Sequence, residues 1–152
     1  MNSKPVLTVL TALMLASAPL GLAAEDDAAV LRTLGYTTGQ SVLITHMAVG
    51  TLADAFVAKT YKSGEATNLV ASYIEITKGM KEQMSKLLEA DTLDKSDAKF
   101  IRSTIDVLDL VLKEANALKA FVSSGGDPDA AAYDKARKKA MKEIKTLLQM
   151  KD

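Results

Sequence analysis

Residues 97–128, DAKFIRSTIDVLDLVLKEANALKAFVSSGGDP, decide the fold. Ile101, Thr104, Leu108, Val111, Ala115, Leu118 and Val122 recur three or four residues apart, one uncharged stripe of an α-helix. Ser123-Ser124-Gly125-Gly126 ends that helix, and Asp127-Pro128 reads as N-cap and first residue of another. The stretch is therefore a long amphipathic helix, a tight break and a second helix.

Working outward, the last helix carries a weaker stripe of Tyr133, Ala136 or Arg137, Ala140, Ile144 and Leu147. Upstream, residues 91–96 are polar and rich in capping side chains, and before them Ala66, Leu69, Tyr73, Ile76, Met80, Gln83 and Leu87 form another stripe. Ser63-Gly64 is the turn ahead of it, with Glu65 at the positive helix end. The first long helix is expected over residues 38–61, with Val42, His46, Val49, Ala53, Phe56 and Thr60 inward. Thr37 and Gln40 fit a capping box at its start. A separate short helix over residues 26–34 is expected to stop at Gly35. Four helices of similar length joined by short turns predict an all-α, up-down-up-down four-helix bundle with a short extra N-terminal helix. The alternative is a long helical hairpin that completes its bundle by dimerising.

The 152 residues allow one ordinary domain, expected over residues 25–152. Residues 1–24 read as a secretory signal peptide: Lys4, an apolar run from Val6 to Ala18, then small residues near Ala23 and Ala24. Periplasmic or secreted localisation follows. The absence of cysteine excludes disulfides, thiolate metal sites and covalent haem, and a single histidine excludes multi-histidine zinc centres. With 19 basic and 19 acidic residues the chain lacks the net positive charge of a nucleic-acid binder.

The first long helix is the unusual one. Between Gln40 and Lys59 only Asp54 is formally charged, so the outward face of Ile44, Ala48, Thr51, Ala55 and Ala58 expects a cover, with Gly50 adding room on a flank. The short N-terminal helix, through Val30, Leu31 and Leu34, is one cover, and a two-fold partner is the other. A membrane span is disfavoured by His46, Asp54 and the threonines.

Counting heights along the expected bundle places His46, Gln83 and Thr104 in one cross-section, beside Met80, Met84 and Met141. Two readings follow. In the structural one, Gln83 and Thr104 satisfy a buried imidazole, and the methionines are flexible core filler. In the functional one, His46 with Met80, Met84 or Met141 binds haem b or Cu(I), using an imidazole and thioethers as soft ligands. The first expectation is no cofactor. In general layout the chain resembles the periplasmic b-type cytochromes built on four-helix bundles, which ligate haem with one methionine and one histidine. There the methionine lies near the mature N-terminus and the histidine on the last helix; here His46 is on the first long helix and Met141 on the last.

The last helix is basic, through Lys135, Arg137, Lys138, Lys139, Lys142 and Lys145, and Asp106, Asp109 and Glu114 of the third helix are expected to balance it. No nucleophile elbow, phosphate loop or Glu-x-x-His occurs. A non-enzymatic protein is expected, acting by protein–protein contact. It would self-associate, as a homodimer, through the first long helix, with neither nucleic acid nor a membrane surface as partner.

Overall fold

The computed structural model describes residues 24–90 and 92–150. The expected signal peptide lies almost wholly outside them. Four helices fill the described chain: α1 (Ala24–Val57), α2 (Ser63–Glu89), α3 (Lys95–Ser124) and α4 (Asp127–Leu147). The protein is an all-α four-helix bundle, as the stripes require.

The helix ends carry local reasons. Asp94 caps α3 by accepting from the Asp97 amide at 2.8 Å, and the Lys62 amide donates to Glu65 Oε2 at 2.9 Å at the start of α2. Ser63 and Gly64, expected as a turn, are instead the first residues of α2. Gly125 closes α3 in the left-handed region at φ 65°, a conformation that costs a side chain-bearing residue energy. The N-cap of α4 is Gly126 rather than Asp127, with Asp127 and Asp129 in its first turn. The first long helix stops at Val57, four residues before the expected end. There the Thr60 amide donates to Ala55 O and the Lys59 amide to Phe56 O, both at 2.9 Å, with Lys59 at φ 60°. This is a Schellman ending that uses lysine where glycine is usual.

The separate N-terminal helix does not form. Residues 26–34 are the opening turns of one continuous α1, and neither Gly35 nor the Thr37–Gln40 box interrupts it. An interior glycine costs a helix only about 1 kcal/mol relative to alanine, and packing offsets that cost here. A Cβ on Gly35 would stand 3.4 Å from the Phe100 ring, and one on Gly39 only 2.5 Å from Leu148 Cδ2. The two glycines let α3 and α4 side chains come close to α1. The Ser41 hydroxyl donates back to Thr37 O at 2.8 Å, as it does inside a running helix.

Residue pairs fix the topology. Gly39 meets Leu148 and Gly50 meets Arg137, so α1 and α4 are antiparallel. Gly35 meets Phe100 and His46 meets Glu114, so α1 and α3 run the same way. Ser63 bonds Val122 and Lys81 pairs with Asp109, so α2 and α3 are antiparallel. The order is up-down-up-down. α1 and α3 pack directly against each other, whereas α2 and α4 do not meet among the described residues. The cross-section is thus a rhombus, with α1 and α3 across its short diagonal.

Two apolar clusters fill the bundle. One contains Val49, Leu52, Val70, Leu118, Val122 and Tyr133. The other contains Val42, Val107, Leu108, Val111, Ala140 and Ile144, with Met80 and Met84 against it.

Candidate functional site

Between the clusters lies a polar level to which each helix gives one side chain. His46 falls between Val42 and Val49, Glu114 between Val111 and Ala115, and Arg137 between Tyr133 and Ala140. Thr77, fully buried on α2, falls between Ile74 and Met80. A polar layer is what the sequence predicts, but only His46 is a member the sequence predicts for it.

His46 is 5% exposed and Glu114 is 0% exposed. Nδ1 of the imidazole lies 2.7 Å from Glu114 Oε2. The other carboxylate oxygen, Oε1, is enclosed and has no hydrogen-bond partner, and the same is true of the Tyr133 hydroxyl. Burial pushes the Tyr133 phenol well above the usual tyrosine range. The Arg137 guanidinium opposes that shift, while the Glu114 and Asp54 carboxylates add to it. All three charged groups therefore act on the phenol electrostatically.

A ladder along the α1–α4 seam positions the site. On α1, His46, Gly50 and Asp54 follow at four-residue steps; on α4, Tyr133, Arg137 and Met141 do the same in the opposite direction. A Cβ on Gly50 would stand 2.7 Å from Arg137 Nη2. The bare glycine is what admits the guanidinium, which lies across the α1 backbone with its Nη1 3.5 Å from Asp54 Oδ1. The room that Gly50 offers is thus taken inside the chain. At the outer edge of this seam, a surface groove is lined by His46, Met47, Thr51, Arg137, Lys138 and Met141, together with Asp134.

Of the other predicted site residues, Met141 shares the groove with His46, whereas Met80 and Met84 pack on the lower cluster. Gln83 is exposed, and Thr104 donates to Phe100 O on its own helix at 3.0 Å. The difference has one cause. The expected height of His46 assumes a helix starting at residue 38, but α1 begins at Ala24, so His46 stands about twenty residues into its helix. Glu114 stands at the same depth in α3, about three turns beyond Thr104. The signal for Glu114 was present: Val107, Val111, Glu114 and Leu118 are spaced as well for a stripe as the residues around Ala115.

The charges also pair differently from expectation. Asp109 joins Lys81 of α2 at 2.6 Å, and Glu114 faces inward, so neither balances α4. Arg137 is paired by Asp54 of α1, and Lys138 by Asp134 of its own helix at 2.6 Å. Among the described residues no three His, Asp or Glu side chains cluster as a hard metal site would require. Comparisons with protein-family models, curated proteins and solved structures find no match at significance.

Proposed function

We propose that the chain is an exported, non-enzymatic helical-bundle protein that works by protein–protein contact and associates with a second copy of itself through α1. The supporting observation is a charge-free stripe on the outside of that helix. Val30, Thr33, Thr37, Gln40, Ile44, Ala48, Thr51 and Ala55 follow at three- and four-residue steps, and Ile44 is 62% exposed. The stripe covers about 38 Å of helix at 1.5 Å per residue. Because the N-terminal turns continue α1 rather than fold back across it, none of the described residues covers this face from within the chain.

Ala29–Val57 is also long and apolar enough to cross a membrane by length and composition alone. Its inner side, however, seats His46 against Glu114 and the guanidinium of Arg137 against Gly50. Those contacts suit a helix with one free side, and an uncharged stripe of this length suits a two-fold neighbour.

Sedimentation velocity tests the reading. The full chain is expected to sediment as a dimer at micromolar concentration, and Ile44→Glu as a monomer with unchanged helical circular dichroism. A wild-type chain that remains monomeric up to about a hundred micromolar, a range of weak association, contradicts it.

A further inference from the structure

The His46 ring uses one nitrogen on the buried Glu114 carboxylate. His46 also lines the groove between α1 and α4, where Met47 and Met141 are the two sulfur-bearing side chains. The geometry points to a binding site for a soft monovalent cation, Cu(I), formed by His46 Nε2 with the thioethers of Met141 and Met47.

Three observations carry this. First, a metal-bound imidazole characteristically donates its second ring N–H to a carboxylate, which fixes the tautomer and raises the basicity of the ligating nitrogen. His46 and Glu114 have that arrangement at 2.7 Å. Second, the donor set is one borderline nitrogen and two thioethers, with no cluster of hard oxygen ligands, and soft sulfur favours Cu(I) over Mg, Ca or Zn. Third, Met141 stands one turn beyond Arg137 on α4 and lines the same groove as His46 and Met47, so one imidazole and two thioether side chains border a single opening.

His46 stands nearly half a turn of α1 from the centre of the exposed stripe, although Thr51 borders the groove and the stripe alike; metal binding and self-association are read by different measurements and stand or fall separately. Met80 and Met84 are internal controls, since they pack on the lower apolar cluster away from the groove.

The test is a titration of the full chain with Cu(I) under anaerobic ascorbate, against a chromogenic Cu(I) chelator, followed in parallel by methionine-methyl NMR. One equivalent is expected to bind, shifting the Met47 and Met141 methyl signals and leaving those of Met80 and Met84 in place. Met141→Leu keeps the volume and is expected to weaken binding at least about tenfold, the scale on which site residues act. The double variant Met80→Leu/Met84→Leu is expected to bind as wild type. Binding that survives Met141→Leu, shifts confined to Met80 and Met84, or no competition with the chelator each overturns the proposal. Silver(I), which needs no reductant, is expected to repeat the pattern; its failure to do so while Cu(I) binds would place the copper elsewhere.

Discussion

Nδ1 of His46 and Oε2 of Glu114 meet at 2.7 Å between two helices that run in the same direction, across the short diagonal of the bundle. Both side chains are withdrawn from water, and the bond links α1 to α3 where two apolar clusters would otherwise merge. A buried pair of this kind adds little net stability over apolar residues but is costly to break from one side. His46→Leu, which leaves the carboxylate alone, is expected to lower unfolding free energy by about 3–5 kcal/mol. The double change His46→Leu/Glu114→Met is expected to recover most of that loss. Urea denaturation of the four chains in this cycle measures the coupling.

The Tyr133 hydroxyl is enclosed and makes no hydrogen bond of good geometry, although the Arg137 guanidinium stands near enough to act on it. Removing an unbonded buried hydroxyl removes a desolvation cost, so Tyr133→Phe is expected to raise stability by about 1 kcal/mol. The phenol also gives a pH dependence of known sign. Its folded pKa is raised, chiefly by burial, so the unfolded chain loses its proton first. Stability from this group is complete below about pH 10, the ordinary tyrosine value, and falls as pH rises beyond it. Thermal melts from pH 8 to 11 are expected to show a steeper alkaline decline for wild type than for Tyr133→Phe.

Gly50 and Gly79 are both interior helix residues, and they separate the helix cost of glycine from its use. Nothing stands within 4 Å of a Cβ on Gly79, so Gly79→Ala is expected to stabilise by about 1 kcal/mol. A Cβ on Gly50 would press on the Arg137 guanidinium at 2.7 Å and lift it away from Asp54. The same propensity gain is then offset, and Gly50→Ala is expected to be near neutral. Denaturation midpoints at constant slope make the comparison; equal gains would mean that Arg137 gains nothing from lying on the glycine.

Lys59 ends α1 at φ 60°, where a β-carbon is strained. Its carbonyl-capping bonds need only the backbone. Lys59→Gly is expected to raise the melting temperature, with a gain of about 1 kcal/mol less whatever glycine adds to the entropy of the unfolded chain.

These relationships show which parts of the structure the residue pattern discloses. The stripes around Leu108 and Leu118, with the Gly125 stop, specify helices and their inward faces without ambiguity, because period and punctuation agree. The polar level was legible as a kind of feature, since a histidine on an apolar stripe needs a partner. Its membership was not legible. Gly35 carries the chemistry of a helix stop, and only the Phe100 ring packed against it shows why the helix runs through. That one misplaced end shifts every height on α1 and exchanges Glu114 for Thr104 and Thr77 for Gln83. Glu114 is hidden for a second reason: an acid three residues from Val111 reads as surface charge until the imidazole that accepts its burial is placed opposite.

The association of two copies along α1 is the claim on which the functional reading rests, and the absence of cysteine in the chain makes it directly measurable. Single substitutions Thr37→Cys, Ile44→Cys and Thr51→Cys on the stripe, with Ile76→Cys as the exposed control on α2, are oxidised at equal concentration and resolved without reductant. Disulfide-linked dimer is expected at one or more stripe positions and not at the control. Monomer throughout, or equal dimer from Ile76→Cys, would contradict the account.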